Sequence, residues 1–225
     1  LPTLDKDIAK RLRKALEKRG ISFHMKYSVK DVDELNADTV LIATGRAANT
    51  DGMDLDNAGI AYDKRGIMVD GNMETNVKGV YAVGDVNGRT MLAHAAKWQG
   101  RRAVNHILGL EDRIRLDIIP SAIFTYPEAA GVGPTEEALK ESNVEYTVTK
   151  NFFRANGKAL AIGETEGMLK LIADKNGKIL SCHMYGPHSA DIVQEVSALM
   201  NTDITIDRLN DIIHIHPTLE EILVK

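Results

Sequence analysis

The sequence contains very little cysteine: one residue, Cys182, in a chain of 225. A single cysteine excludes an internal disulfide, and also a redox centre made from a cysteine pair within these residues. The stretch from Lys178 to Tyr185 has the composition of a buried strand. We therefore predict that Cys182 is a buried and unreactive thiol.

The sequence also lacks a long apolar run and a strong charge of either sign. It has no apolar stretch of about 18 residues and no basic start followed by an apolar core, so we predict neither a membrane span nor a secretory signal. The formal net charge is −4, which gives no field that would draw the chain to nucleic acid or to an anionic membrane. We expect a cytoplasmic protein with no nucleic-acid and no membrane partner. Because the chain does not begin with methionine, we also expect it to be part of a longer polypeptide.

The first half of the chain has the pattern of an α/β fold. Residues 4–19 place apolar side chains on one face, which predicts a helix capped by Thr3. Residues 39–45 and 79–85 are apolar runs that end at or next to a glycine, as in strands buried on both faces of a parallel sheet. A second helix is predicted from residue 92 to residue 108. Shorter strands are predicted at 21–25 and 67–70.

From about Asp117 onward the pattern changes to that of an antiparallel sheet with helices on one side. Asn176-Gly177 separates two apolar runs, and this dipeptide is typical of a two-residue hairpin turn. Strands are predicted at 123–126, 146–149, 169–173 and 179–185, and helices at 135–142, 189–200 and 205–212. The fold class is therefore an α/β part followed by an α+β domain.

Two glycines that follow apolar runs are candidates for ligand contact. Ala43-Thr44-Gly45-Arg46 closes the first run, and Gly84-Asp85 closes the second. A glycine at the carboxyl end of a parallel strand lets a ligand approach the backbone, and Asp85 offers an acceptor for a sugar-like hydroxyl. Taken alone, each motif favours an ordinary turn, with Asp85 capping the turn that follows it.

The predicted second helix begins with Met91-Leu92-Ala93-His94. The free N–H groups and the positive dipole end of a helix start suit a partly anionic ring edge. The alternative is an ordinary amphipathic helix start in which His94 is a half-buried side chain.

The C-terminal segment combines two histidines with a carboxylate in His214-Ile215-His216-Pro217-Thr218-Leu219-Glu220-Glu221. Glu221 has two interpretations. It can close a capping box with Thr218, or it can accept the imidazole N–H of His216, fix its tautomer and orient it as a general base. From the spacing alone, the capping box is supported at least as well as the pairing of Glu221 with His216. His214 is the rival base, and we expect it to point to the opposite side of the segment.

These motifs, in this order, resemble the flavin-dependent disulfide oxidoreductases, and most closely the branch of that family that oxidises dihydrolipoamide. The chain departs from the family at Ala48, where a proline is usual, and at Gln99, where a glutamate is usual. The resemblance is carried by Ala43–Thr50, Thr75–Val86, Met91–His94, Pro120–Gly133 and His214–Glu221.

The resemblance implies that FAD and NAD are the cofactors. It places Gly45 against NAD, Asp85 on the ribityl chain of FAD, and Met91, Leu92, Ala93 and His94 at the flavin ring. It gives no metal site. Neither a Cys-x4-Cys pair nor a Gly-x-Gly-x-x-Gly loop is present, so we expect the chain by itself to be inactive.

For the reaction, the resemblance implies that His216 deprotonates a dithiol, that Glu221 orients His216, and that the pair works on the partner subunit's disulfide in an obligate homodimer. The outside partner would be the lipoyl group of a 2-oxoacid dehydrogenase or glycine cleavage complex.

The resemblance also divides the chain into three segments. Residues 1–46 would be the tail of the NAD-binding domain, 47–116 the central FAD-binding segment, and 117–225 the interface (dimerisation) domain. The fold class becomes an α/β remnant of FAD/NAD-binding domains followed by an α+β interface domain with an antiparallel sheet. Two other interpretations stay open: a relative that reduces glutathione or a metal, and a non-catalytic dimerisation module without a cofactor.

Overall fold

The computed structural model describes residues 3–224. The chain forms two compact units. The first, called here the sheet unit, consists of residues up to His24 together with those from Asp117 onward. The second, the central unit, is Met25–Leu116. The segment boundaries at 46/47 and 116/117 that the resemblance implies describe functional domains, and they stay a prediction.

The helices are α1 Lys6–Lys18, α2 Ala93–Ile107, α3 Glu136–Glu141, α4 Gly157–Ile162, α5 Ser189–Met200 and α6 Ile206–Asn210. The strands are β1 Tyr62–Asp63, β2 Gly66–Ile67, β3 Ser121–Ile123, β4 Glu128–Val132, β5 Tyr146–Phe152, β6 Met168–Asp174 and β7 Ile179–Gly186. Among the described residues, no helix combines the length and the apolar character that crossing a bilayer requires.

The sheet unit is built on five antiparallel strands in the order β3-β4-β7-β6-β5. Strands β6 and β7 form the predicted hairpin, and the N–H of Asp174 donates to the carbonyl of Lys178 across the turn. Cys182 lies in β7 with no exposed surface, and burial raises the pKa of its thiol. The prediction of a buried, unreactive cysteine is confirmed.

Helices cover both faces of this sheet, not one as predicted. Helix α5 packs Ile192, Val193 and Val196 on one face, in a core that includes Cys182. Helix α1 packs its apolar residues on the other face, against Ala129, Met168 and Tyr185; these helix residues are Ile8, Leu12, Ala15 and Leu16. Because β6 is buried on both faces from Met168 to Ala173, the sheet needs a layer on each side.

The central unit contains the predicted helix, α2, but not the predicted parallel strands. Residues 39–45 form no strand, and the side chain of Leu41 is 87% exposed. Within 79–85, Tyr81 forms a single bridge with Glu74. A strand of this composition is stable only between neighbouring strands. The described residues place no strand beside 39–45 and only the single bridge to Glu74 beside 79–85. The strand predictions at 21–25, 39–45 and 79–85 are wrong.

Candidate functional site

The C-terminal segment brings His216 and Glu221 together. Nδ1 of His216 lies 2.9 Å from Oε1 and 3.2 Å from Oε2 of Glu221. A carboxylate only accepts, so Nδ1 carries a proton, and in the neutral imidazole the lone pair is on Nε2. The His216 side chain is 76% exposed, and no described residue pairs with Nε2. This arrangement presents a basic nitrogen at the surface in a fixed tautomer.

Glu221 contacts both of the groups that the two interpretations named. Its Oε2 also accepts the backbone N–H of Thr218 at 3.0 Å, which is one half of a capping box. The other half is not made, because the buried hydroxyl of Thr218 has no partner among the described residues. The N–H of Thr218, followed by the imidazole of His216, lowers the pKa of the Glu221 carboxyl below its usual value.

His214 is held inside the sheet unit, where it is 7% exposed. Its Nδ1 lies 3.0 Å from the carbonyl oxygen of Ile212, and its Nε2 lies 3.1 Å from Oε1 of Glu195 on α5. Both ring nitrogens are therefore engaged. The side chain of His214 is thus buried where that of His216 is exposed, and it offers no free nitrogen to a substrate.

In the central unit, a 3-10 turn at Gly84–Asn87 presents Asp85 to solvent. The side-chain oxygen of Gln99, on α2, accepts the N–H of Gly84 at 2.8 Å and Nδ2 of Asn87 at 2.9 Å. Gln99 is 2% exposed, so this network is buried. The amide oxygen of Gln99 thus accepts both of these hydrogen bonds, although the family usually has a glutamate at this position.

The same turn packs against the start of α2. Leu92 is the N-cap residue and makes no side-chain cap hydrogen bond. Ala93 and His94 are exposed there, and Met91 and Leu92 are half-buried. The exposed carboxylate of Asp85 and the positive end of the α2 dipole suit the hydroxyl groups of a ribityl chain and the carbonyl edge of a flavin.

Gly66 lies between this turn and the loop that follows Gly45, and it lets the two approach closely. The sequence alone did not identify Gly66 as a residue of this region. The φ angle of Gly66 is +139°, and a methyl group there would clash with the carbonyl oxygen of Val86 and lie 2.9 Å from Cβ of Ala48. Gly45 itself has a φ of +127° and open space around its Cα. The central unit therefore holds all the predicted cofactor residues, and the sheet unit holds His216 and Glu221.

Comparison with known proteins identifies the family. The model for the pyridine nucleotide-disulphide oxidoreductases matches residues 1–100. The model for the dimerisation domain of the same family matches residues 119–225. The chain belongs to the pyridine nucleotide-disulphide oxidoreductase family. The predicted fold class and the predicted family are thereby confirmed.

Individual relatives carry several names. The mitochondrial dihydrolipoyl dehydrogenase of Pisum sativum is 37% identical, over 98% of this chain and 48% of its own length. The leghemoglobin reductase of Glycine max is 38% identical, over 98% of this chain and 46% of its own length. The chain thus spans about half the length of the curated relatives it matches.

A solved structure is also similar. The HOCl-induced flavoprotein disulfide reductase RclA from Escherichia coli matches with a TM-score of 0.81 and 28% identity, covering 99% of this chain and 55% of that one. The family consists of flavoprotein disulfide oxidoreductases that bind FAD and a pyridine nucleotide. Among the residues described, no group of three or more histidine, cysteine and carboxylate side chains is arranged to hold a metal.

Proposed function

We propose that this chain is the C-terminal half of a dihydrolipoamide dehydrogenase that works as a homodimer. The enzyme would oxidise the dithiol of a lipoyl group and pass two electrons through an enzyme disulfide and FAD to NAD. The observation that carries the proposal is the His216–Glu221 pair, which presents an unpaired Nε2 at the surface. The match to the family's dimerisation domain over the same residues supports it.

The chemistry at His216 follows from the need for a thiolate. Nε2 of His216 takes the proton of a substrate S–H, and the thiolate attacks the enzyme disulfide. The substrate is oxidised to a disulfide as the enzyme disulfide is reduced to two thiols. Glu221 holds the Nδ1 proton and balances the charge of the imidazolium that forms. The redox disulfide must lie outside these residues, because their only cysteine, Cys182, is buried.

The central unit would hold the cofactors. When bound, FAD supplies the two-electron carrier between the disulfide and NAD. Asp85 would accept a ribityl hydroxyl, and the start of α2 at Met91–His94 would face the carbonyl edge of the flavin. Gly45 would let NAD approach the backbone. The lipoyl partner would be the acyl-carrier arm of a 2-oxoacid dehydrogenase or glycine cleavage complex.

A second candidate is a reductase of another disulfide or of a metal. The similarity of the chain to the flavoprotein disulfide reductase from Escherichia coli favours it. Turnover with dihydrolipoamide, compared with turnover with glutathione disulfide and with Cu(II) under NADH, separates the two candidates. A colourless dimer with no turnover at all would instead favour a dimerisation module.

The decisive variant is His216→Gln in the flavoprotein that joins this chain to its redox-cysteine half. We expect dihydrolipoamide oxidation to fall by about 10²–10⁴-fold, the usual effect of removing a positioned base. NADH oxidation by an artificial acceptor needs no thiol deprotonation and should persist. His188→Gln is the control, because His188 is an exposed histidine that pairs with Asp191 in the same unit. A fully active His216→Gln enzyme would overturn the catalytic assignment.

A further inference from the structure

A second histidine–carboxylate pair lies two residues from the proposed base. His214 is 7% exposed, and its Nε2 meets Oε1 of Glu195 at 3.1 Å. Its other nitrogen, Nδ1, meets the carbonyl oxygen of Ile212 at 3.0 Å. Nothing in the proposed reaction uses this pair, because no ring nitrogen of His214 is left for a substrate.

The two partners of His214 are both acceptors. A carbonyl oxygen and a carboxylate cannot donate, so only the imidazolium form of His214 makes both hydrogen bonds at once. In that form its positive charge faces the carboxylate of Glu195. The charge also reaches Glu221: after Thr218 and His216, His214 contributes to lowering the pKa of the Glu221 carboxyl.

The pair joins the segment that carries His216 to a buried helix of the same chain. Glu195 belongs to α5, whose Ile192, Val193 and Val196 are fully buried in the core. Within one chain, that segment makes fewer packing contacts, because Ile213 and Ile215 are 96% and 79% exposed. The bond between His214 and Glu195 therefore ties this segment to the helix.

We propose that Glu195 and His214 are positioning residues for His216, which fix the segment Ile212–His216 on α5 so that the His216 imidazole meets the Glu221 carboxylate in one orientation. This inference rests on the proposed function of His216 as the base. It adds the requirement that the segment Ile212–His216 is held on α5, which the contact between His216 and Glu221 does not by itself provide.

The test uses Glu195→Ala in the same complete flavoprotein. We expect kcat for dihydrolipoamide oxidation to fall by about 10- to 100-fold, because a misplacement of about 1 Å at a reacting group has an effect of that size. The pH–rate profile should change with it, while NADH oxidation by an artificial acceptor stays at the wild-type rate. Glu195→Gln, which keeps an acceptor oxygen for His214, should retain more activity than Glu195→Ala.

Asp191→Ala is the matched control. It removes the same charge from the same helix, one turn away, at a side chain that is 77% exposed. It should behave as wild type. If Glu195→Ala keeps wild-type dithiol turnover, or if it lowers dithiol turnover and acceptor turnover equally, the positioning role is overturned. Should Glu195→Ala fail to fold, His214→Asn and Glu195→Gln carry the same comparison.

A measurement on the 225-residue chain separates this inference from the proposed function. In ¹⁵N NMR spectra, His214 should show two protonated ring nitrogens, and His216 the tautomer protonated at Nδ1. Glu195→Ala should convert His216 to a mixture of tautomers, whereas Asp191→Ala should not. This result stands even if His216→Gln turns out to be fully active. An unchanged His216 spectrum in Glu195→Ala would refute the coupling between the two pairs.

Discussion

At the scale of single residues, the strongest constraint outside the candidate site is the burial of Lys170. Its side chain has no exposed surface, and its Nζ lies 2.8 Å from Oδ2 of Asp5 and 2.6 Å from Oε2 of Glu136. Burial alone would raise the pKa of Asp5, but hydrogen bonds from Lys170 and from the N–H of Glu136 more than offset it and hold that pKa below its usual value. A buried ion group of this kind tolerates the loss of one member poorly.

We therefore expect Lys170→Met to lower the free energy of unfolding by about 3–5 kcal/mol, since it leaves the buried carboxylate of Asp5 without its cation. Urea unfolding followed by circular dichroism measures the change. Lys175→Met, in the exposed hairpin turn, is the control and should stay within about 0.5 kcal/mol of wild type. A Lys170→Met chain as stable as that control would mean that the ion group contributes nothing to the fold.

Residue spacing predicts the partners that lie near each other in the chain and misses those that the fold brings together. His216 and Glu221 are five positions apart, so the sequence alone suggested their contact. Glu195 and His214 are 19 apart and lie on different elements, and no local pattern indicates that they meet. His214 and His216 would share one side in a regular extended segment. In the structure one is buried and the other exposed, and each is bound by a different carboxylate.

At the scale of elements, the first turn of α3 carries Glu136, a carboxylate whose pKa is strongly lowered. Lys140, followed by Lys170, lowers the pKa of Glu136 from 4.5 to about 2. A carboxyl whose pKa is depressed in the folded state contributes stability that is present above its unfolded pKa and lost as the pH falls through its folded pKa. The folded sheet unit should therefore lose stability between about pH 4.5 and about pH 2.

Urea midpoints measured at several pH values across this range test that expectation. Glu136→Gln should flatten the dependence of the midpoint on pH. Glu145→Gln removes an exposed carboxylate in the same unit and should leave the slope as it is. Identical slopes for wild type and Glu136→Gln would show that this carboxylate is not the source of the acid sensitivity.

Periodicity predicted every helix except α4, Gly157–Ile162, and it predicted the buried strands of the central unit badly. Helix α1 was expected with Thr3 as its cap, whereas Asp5 caps it by accepting the N–H of Asp7. Strand β4 was missed because Ala129, Ala130 and Gly131 are small residues without a strand signature, although they lie at the centre of the pairing with β7. Residues 39–45 have the composition of a central strand, but composition cannot supply the neighbours that a strand needs.

At the scale of the whole molecule, exposed apolar side chains beside the candidate base indicate association between copies. Ile213 and Ile215 are 96% and 79% exposed, although isoleucine is among the most often buried residues. Both lie within the match to the family's dimerisation domain. We expect a second copy of the chain to cover them, in an interface of more than roughly 2,000 Å² in total.

Light scattering across a dilution series should give the mass of a dimer for the wild-type chain and of a monomer for Ile215→Asp, since burial of a charge in an apolar interface is unfavourable. Asn176→Asp introduces the same charge in the exposed hairpin turn and should remain dimeric. A monomeric wild-type chain, or a dimeric Ile215→Asp variant, would contradict this location of the interface.

The position of Asp5 also determines when the sheet unit can be completed during synthesis. The carboxylate of Asp5 caps α1, accepts the N–H of Glu136 at the start of α3, and binds Lys170 in β6. Lys170 is translated 165 residues after Asp5. At about 5–20 residues per second this interval is on the order of 10–30 s. For that time the apolar face of α1 lacks Met168 of β6 and Tyr185 of β7, against which it packs in the folded chain.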